Sequence, residues 1–172
     1  MPAAKLEKRV LIFAFVVNFL FFAVEIVAGF LSDSMGLIAD SLDMLADAFV
    51  YGISLLAVGA VIARQKHVAR LSGYFQLALA LLGLLEIARR FFGFEGVPDF
   101  RGMIVVSFLA LLANAATFYV IGKAKGGGPH IAASRIFTSN DIIVNLLVIV
   151  SGCLVYWLDA GWPDLIAGAA CA

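Results

Sequence analysis

Charged residues are scarce in this chain: 14% of its 172 residues are Asp, Glu, Lys or Arg, whereas 63% are hydrophobic. The mean hydropathy is +1.05. Soluble domains contain about 25% charged and about 45–50% apolar residues, so this composition excludes an ordinary water-soluble domain. The formal net charge is zero, so the composition gives no sign of a nucleic-acid partner. A lipid bilayer is the solvent that such a chain requires.

Cysteine and histidine are also rare, and the sequence contains no Cys-x-x-Cys motif. Cys153 and Cys171 lie far apart in apolar runs, where cysteine is usually a small packing residue. His67 and His130 lie in polar stretches, and we expect them to be solvated. This pattern argues against a disulfide framework and against a metal site built from thiolates.

Long hydrophobic runs account for most of the sequence. Five of them are long enough to form a helix of about 20 residues that crosses a bilayer, and a sixth begins near Pro163. The five runs cover residues 10–30, 37–63, 68–88, 103–121 and 131–157. The breaks between them fall at turn-forming or charged stretches, which are residues 32–34, 64–67, 94–99 and 126–129.

The sixth run is short. It offers only about ten residues before Ala172, or about 15 Å of helix, against a hydrocarbon core of about 30 Å. We therefore expect the natural product to continue by another ten or so apolar residues. The sequence predicts an all-α membrane protein: one transmembrane domain over residues 1–172, a six-helix bundle whose sixth helix is truncated in this chain.

The distribution of Lys and Arg predicts a cytoplasmic N-terminus. With that orientation nine of the twelve Lys and Arg residues lie on the inner side, and the other three, Arg89, Arg90 and Arg101, lie on the outer side. Positive charge is concentrated on the inner side of membrane proteins in this way. Trp157 and Trp162 then lie at the outer interface, where aromatic residues are enriched. We expect a multi-pass protein of a plasma membrane, specifically a bacterial inner membrane.

Acidic residues occur inside the predicted membrane spans, where each carboxylate costs about 2.5–3.5 kcal/mol at the helix centre. Asp40, Asp43 and Asp47 follow the offsets i, i+3 and i+7, which define one face of an α-helix. Three anions this close cannot all stay ionised in a low dielectric without a cation or protons. The second run contains no Lys or Arg before its inner end. The stripe therefore predicts a cation site.

The fifth run adds another acid at a matching depth. Asp141 lies about ten residues, or about 15 Å, from the inner end of its helix, and Asp47 lies equally far from the outer end of the second helix. Since the two helices run in opposite directions, both carboxylates reach the midplane of the membrane. Asn145 lies one turn from Asp141. Alternatively, these acids are hydrogen-bonded links between helices, a role that fits Asn18 and Asn114 better.

Two further acids lie near the outer ends of their predicted helices. Glu86 is one turn before Arg89 and Arg90 and can form an ion pair with either of them. Glu25 lies in the last third of the first run. We expect both glutamates to be structural residues at the membrane interface rather than parts of the cation site.

The order of these motifs resembles that of the cation diffusion facilitators. The resemblance rests on residues 34–47, which read Ser-Met-Gly-Leu-Ile-Ala-Asp-Ser-Leu-Asp-Met-Leu-Ala-Asp and follow Asn18 and Gly29. Residues 86–90 look like the end of the family's third helix, and residues 161–168 are similar to the start of its sixth. The resemblance covers essentially the whole chain.

The family carries His/Asp-x-x-x-Asp on its second and fifth helices. On the fifth helix the first of these positions is Phe137 here, and this side chain cannot bind a metal. The metal ligands that the resemblance implies are Asp43, Asp47 and Asp141, with Asp40, Asn140, Asn145 or water as an additional ligand. A ligand set made only of oxygen favours harder ions such as Mn²⁺ or Mg²⁺, whereas imidazole suits Zn²⁺.

The resemblance implies a divalent-cation efflux protein that works by alternating access and proton antiport. Its cargo would be Zn²⁺, Mn²⁺, Fe²⁺ or Co²⁺, with no prosthetic group. Its partners would be the cation, protons and the lipid bilayer. A homodimer is left open, because the family's soluble C-terminal domain, which supports dimerisation and metal sensing, is not within these residues.

Two other functions are left open. Transmembrane enzymes that transfer phosphoalcohol groups to lipids also carry acids on helices, but they need Asp-x-x-Asp-Gly-x-x-Ala-Arg. Here Met44 follows Asp43 in place of glycine, and the second acidic pair of that motif is missing. An enzyme is therefore the remote alternative. Phe137 and the short sixth run instead favour a non-transporting scaffold or a degenerate paralogue.

Overall fold

The computed structural model describes residues 3–55, 62–93, 96–123 and 129–171. Within these ranges the chain forms six α-helices. They are α1 (Ala3–Leu31), α2 (Met35–Leu55), α3 (Ile62–Gly93), α4 (Phe100–Gly122), α5 (Pro129–Leu158) and α6 (Trp162–Cys171). Among the residues that the structure describes, three stretches are long and apolar enough to cross a membrane: Lys8–Leu31, Phe100–Gly122 and Ser134–Leu158. The all-α, six-helix prediction is confirmed.

The structure differs from the predicted breaks at one place. α3 begins at Ile62, so the charged stretch of residues 64–67 is helical rather than a break between helices. Arg, Gln and Lys are good helix formers, and their charge therefore marks the edge of the apolar run rather than the end of the helix. Residues 56–61 of the predicted second run, and the glycines at 126–128, lie outside the described residues.

α2 is the central helix of the bundle. It packs against α1, α3, α5 and α6, and its buried residues include the consecutive Leu37, Ile38 and Ala39, which face different sides of the helix. The outer helices differ, because α1 exposes Phe30 and α5 exposes Trp157 on their outward faces. Exposed apolar side chains of this size suit a surface that lipid covers.

Two glycines allow neighbouring helices to lie close to α2. A Cβ atom on Gly29 of α1 would lie 2.8 Å from Ile38 Cγ1. On Gly168 of α6 it would lie 3.0 Å from Met35 Cγ and 3.1 Å from the Met35 carbonyl oxygen. Small residues at helix crossings are typical of membrane proteins. These close approaches place α1 and α6 directly against the beginning of α2.

A buried carboxylate joins α6 to the beginning of α2. Asp164 Oδ1 accepts hydrogen bonds from the Ser34 hydroxyl at 2.8 Å and from the Gly36 backbone N–H at 3.0 Å. Asp164 Oδ2 accepts a bond from the Met35 backbone N–H. The first N–H groups of a helix have no partner within that helix, and they favour a nearby negative charge. Asp164 therefore fixes the start of the helix that carries the aspartates.

Candidate functional site

The structure brings Asp47 of α2 and Asp141 of α5 together. Both residues are only 2% exposed, and their carboxyl groups interact directly with each other. Asp141 Oδ2 has no hydrogen-bond partner among the described residues. Two buried carboxyl groups in contact repel each other unless a proton or a cation lies between them. The contact between α2 and α5 is therefore able to hold positive charge.

The Tyr51 hydroxyl group connects α2 to α5 beside this pair. It donates a hydrogen bond to Asp47 Oδ2 at 3.0 Å, and it lies 2.6 Å from Thr138 Oγ1 and 3.3 Å from the Ser134 carbonyl oxygen. The sequence alone did not identify Tyr51 or Thr138 as site residues. Their spacing could have identified them. Tyr51 lies four residues after Asp47 on the same face of α2, and Thr138 lies three residues before Asp141 on the same face of α5.

The other predicted ligands on α2 lie at different levels of burial. Asp43 is half-buried, and its charge acts on Asp47 without a direct hydrogen bond. Asp40 is fully buried. In the described part of the chain no three carboxylate, imidazole or thiolate groups are arranged to hold a metal ion. A cation between Asp47 and Asp141 would therefore need water, or a movement of Asp43, to complete its coordination.

The predicted ligands on α5 fall on two faces. Asn145 is fully buried, its Nδ2 atom donates to the Asp141 carbonyl oxygen at 2.8 Å, and its Oδ1 atom has no partner among the described residues. This amide oxygen is therefore available as a neutral ligand. Asn140 is exposed, so the structure does not bring it to the acidic pair. Phe137 is half-buried, one turn before Asp141.

Glu25 is not an interfacial residue, and that prediction was wrong. Its side chain is fully buried, and its carboxyl group interacts directly with that of Asp40. At longer range its carboxyl group also interacts with those of Asp43 and Asp141. The sequence placed Glu25 correctly along α1 but could not show which way it faces. The close approach of α1 to α2 at Gly29 turns it towards the interior.

The ion pair predicted for Glu86 is confirmed. Its carboxylate accepts hydrogen bonds from Arg89 at 2.7 and 2.8 Å and from Arg90 Nε at 3.0 Å. Arg90 is buried, and its guanidinium group also donates to the Asp33 carbonyl oxygen at 3.0 Å. This arrangement connects the C-terminal end of α3 to the turn between α1 and α2. It is a structural ion pair on α3, whereas the central aspartates lie on α2 and α5.

The two asparagines that were expected to link helices make weak links. Asn18 Nδ2 donates to the Ala14 carbonyl oxygen of its own helix at 3.0 Å. Asn114 Nδ2 reaches α2, but only through Met44 Sδ at 4.0 Å. Both side-chain oxygens are buried without a hydrogen-bond partner among the described residues. Neither residue therefore supplies a strong hydrogen bond between helices.

Comparison with known proteins identifies the family. Residues 11–172 match the cation efflux transmembrane domain. The chain is 24% identical over 175 residues to a cadmium, cobalt and zinc/H(+)-K(+) antiporter of Bacillus subtilis (strain 168), covering 94% of this chain and 56% of that protein. It is 28% identical over 173 residues to zinc transporter ZitB of Yersinia pseudotuberculosis serotype I (strain IP32953) and of Yersinia pestis, covering 92% of this chain and 54% of each relative. The chain thus spans about half the length of the curated relatives it matches. Because the match to the family covers almost all of its residues, this integral membrane protein belongs to the cation efflux family.

Proposed function

We propose that this protein carries a divalent metal cation out of the cytoplasm in exchange for protons. The cation would bind at the midplane of the membrane, between Asp47 of α2 and Asp141 of α5. The observation that carries this proposal is the direct contact of two carboxyl groups that are each only 2% exposed. Ionisable groups inside a membrane are expensive to bury and usually mark an ion pathway.

The ligands of this site would be oxygen atoms. Asp47 and Asp141 supply two carboxylates, Asp43 is close enough along α2 to approach them, and the Asn145 amide oxygen has no other partner among the described residues. Oxygen ligands suit Mn²⁺, whereas the relatives are named for zinc, cadmium and cobalt. The proposed cargo is therefore one of Zn²⁺, Mn²⁺, Fe²⁺ and Co²⁺.

Proton exchange follows from the same pair of acids. Without a cation, two carboxyl groups in contact in a low dielectric hold at least one proton between them. A bound divalent cation displaces protons from its ligands, so binding of metal and release of protons are linked. With the N-terminus in the cytoplasm, as the distribution of Lys and Arg predicts, an inward proton gradient would drive the cation outward. A bacterial inner membrane provides such a gradient.

The charges around the site favour a transporter over a scaffold. α2 contains no Lys or Arg. On α5, Arg135 is exposed and lies 5.0 Å above the ring of Phe118 on α4, so its charge is turned away from the aspartates. A scaffold gains nothing from two adjacent buried acids, because apolar residues of similar size would be more stable there. The named relatives are transporters rather than enzymes.

Flux measurements in proteoliposomes test this proposal. The purified chain is reconstituted with a metal indicator and a pH indicator inside the vesicles, and Zn²⁺, Mn²⁺, Fe²⁺ and Co²⁺ are each supplied outside. We expect at least one of these ions to enter the vesicles while protons leave them. Uptake of the ion should be faster when the vesicle interior is more acidic than the outside. If none of the four ions moves faster than in empty vesicles, the transport proposal is wrong.

Tyr51→Phe tests the hydroxyl group that contacts Asp47. This change removes one hydrogen-bond donor to a buried carboxylate and leaves the ring in place, so Asp47 loses a group that orients it. Loss of such a supporting hydrogen bond typically weakens metal binding about 10–100-fold. We expect the concentration of metal at half-maximal flux to rise by about that factor, with a smaller change in maximal flux. A Tyr51→Phe variant with unchanged metal dependence would mean that Tyr51 only packs α2 against α5.

Phe137→His tests the ligand position that this chain lacks. Phe137 lies one turn before Asp141, and an imidazole group there would add a nitrogen ligand of the kind that Zn²⁺ prefers. We expect the affinity for Zn²⁺ relative to Mn²⁺ to rise by at least about tenfold, measured by calorimetry on the purified protein. Unchanged relative affinities would show that residue 137 does not face the site.

A further inference from the structure

A second pair of carboxyl groups lies between α1 and α2, away from the Asp47–Asp141 pair. Glu25 and Asp40 are both fully buried, and their carboxyl groups interact directly. Apart from this contact with each other, their four side-chain oxygens have no hydrogen-bond partner among the described residues. The two residues come from different helices, so their meeting is a product of the fold and not of their spacing in the sequence.

Unpartnered oxygens are costly at this degree of burial. A buried polar group without a hydrogen bond is destabilising, and a buried charge without a partner is more so. The charged groups that act on Glu25 are themselves acids, namely Asp40, Asp43 and Asp141. The pair is therefore set up to accept positive charge.

The position of the pair along the helices separates it from the central site. Asp40 precedes Asp47 by seven residues, which places it about 10 Å nearer to the start of α2. Glu25 lies six residues before the end of α1, at a similar depth below the turn that joins the two helices. A cation that leaves the central site towards that turn would pass next to this pair.

We propose that Glu25 and Asp40 form a second binding site for a divalent cation, with water molecules as the remaining ligands. Two carboxylates and water are the ligand set that suits an oxygen-preferring ion such as Mn²⁺. Only the role of this site depends on the proposed transport function: it would be an intermediate binding site between the central aspartates and the outer surface. Its ability to bind a cation is independent of transport and can be measured without it.

Counting bound ions on the purified full chain tests this site. The chain in detergent is dialysed to equilibrium against Mn²⁺ or Zn²⁺, and the bound metal is measured by mass spectrometry. We expect two ions per wild-type chain and one ion per chain in the double variant Asp47→Asn/Asp141→Asn. Adding Glu25→Gln to that double variant should remove the remaining ion, with at least a tenfold loss of affinity. Adding Asp40→Asn instead should have the same effect.

The matched control is Glu86→Gln, which makes the same chemical change near the outer end of α3, where the carboxylate is paired with Arg89. It should leave the remaining ion in place. Each variant is first checked for a single symmetric peak in size-exclusion chromatography, and Asp40→Asn replaces Glu25→Gln if the latter aggregates. Since the two changes test the same site from different helices, one well-folded variant is sufficient.

Two results would overturn the second site. In the first, the double variant Asp47→Asn/Asp141→Asn would bind no ion, which would mean that Glu25 and Asp40 hold only a shared proton. In the second, the double variant would bind one ion, and neither Glu25→Gln nor Asp40→Asn would weaken its binding. The transport proposal fails differently, through wild-type flux that does not exceed that of empty vesicles. A chain that binds two ions without transporting either would retain the site and lose the function.

Discussion

Asp47→Asn and Asp141→Asn should each reduce metal-dependent flux by more than about 100-fold. Each change keeps the shape of the side chain but removes the negative charge that the proposed cation binds. Loss of a group that only supports a metal ligand already costs about 10–100-fold, so loss of a charged ligand should cost more. Flux is measured in proteoliposomes with Zn²⁺, Mn²⁺, Fe²⁺ and Co²⁺ at equal amounts of inserted protein.

The other acids of α2 should matter less. Asp43 is half-buried and makes no direct hydrogen bond to Asp47, so Asp43→Asn should give the next largest loss. Asp40 lies about 10 Å from Asp47 along the helix, so Asp40→Asn should lower flux less than Asp43→Asn does. The expected order of flux is therefore Asp40→Asn above Asp43→Asn, with the Asp47 and Asp141 variants lowest.

Stability separates the functional role of these acids from a structural role. Without metal the two adjacent buried acids are tolerated only by holding protons, and asparagine removes one of these acids while keeping its shape, so Asp47→Asn should accumulate normally and unfold at an equal or higher temperature without metal. Asp33→Asn is the matched control, because Asp33 is exposed in the turn after α1 at φ 53°, a backbone conformation that asparagine tolerates. It should transport like the wild type.

Two results would contradict this assignment. Normal flux of all four ions by both Asp47→Asn and Asp141→Asn would mean that the transport site lies elsewhere. Failure of both variants to accumulate in the membrane, while Asp33→Asn accumulates, would mean that the acids are structural, and the scaffold function would then be favoured.

Asp164→Ala should destabilise the protein by about 2–4 kcal/mol, because a buried carboxylate that accepts three hydrogen bonds is lost. The Met35 and Gly36 backbone N–H groups at the start of α2 would be left without this acceptor. For a chain of this size the loss corresponds to a fall in melting temperature of roughly 5–15 °C. The measurement is thermal unfolding of the purified protein, followed by size-exclusion chromatography.

Asp164→Asn separates the charge of this carboxylate from its hydrogen bonds. The amide keeps one oxygen that can accept from a backbone N–H group, but it has no negative charge to favour the start of the helix. We expect a melting temperature between those of the wild type and Asp164→Ala. Equal melting temperatures for the wild type and Asp164→Ala would show that water replaces the carboxylate without cost.

The sequence by itself determined the class of the protein and the positions of the central acids. Helix number follows from run length and composition, because the bilayer core fixes the length of an apolar helix. The i, i+3, i+7 spacing put Asp40, Asp43 and Asp47 on one face of α2, since an α-helix has a fixed period. Opposite helix directions then placed Asp47 and Asp141 at the same depth. These inferences need only local geometry and the thickness of the membrane.

Only the tertiary structure decided which partners these residues meet. The sequence could not place Glu25 against Asp40 or Asp164 at the start of α2, because each contact joins helices whose rotation about their own axes depends on packing. Gly29 and Gly168 set that packing through close approaches that no spacing rule encodes. Tyr51 lies on the predicted stripe, but its hydroxyl contact with Thr138 exists only because α5 crosses α2 at that level. Periodicity fixes the face of a helix, whereas the neighbour of that face is fixed by how the side chains of all six helices fit together.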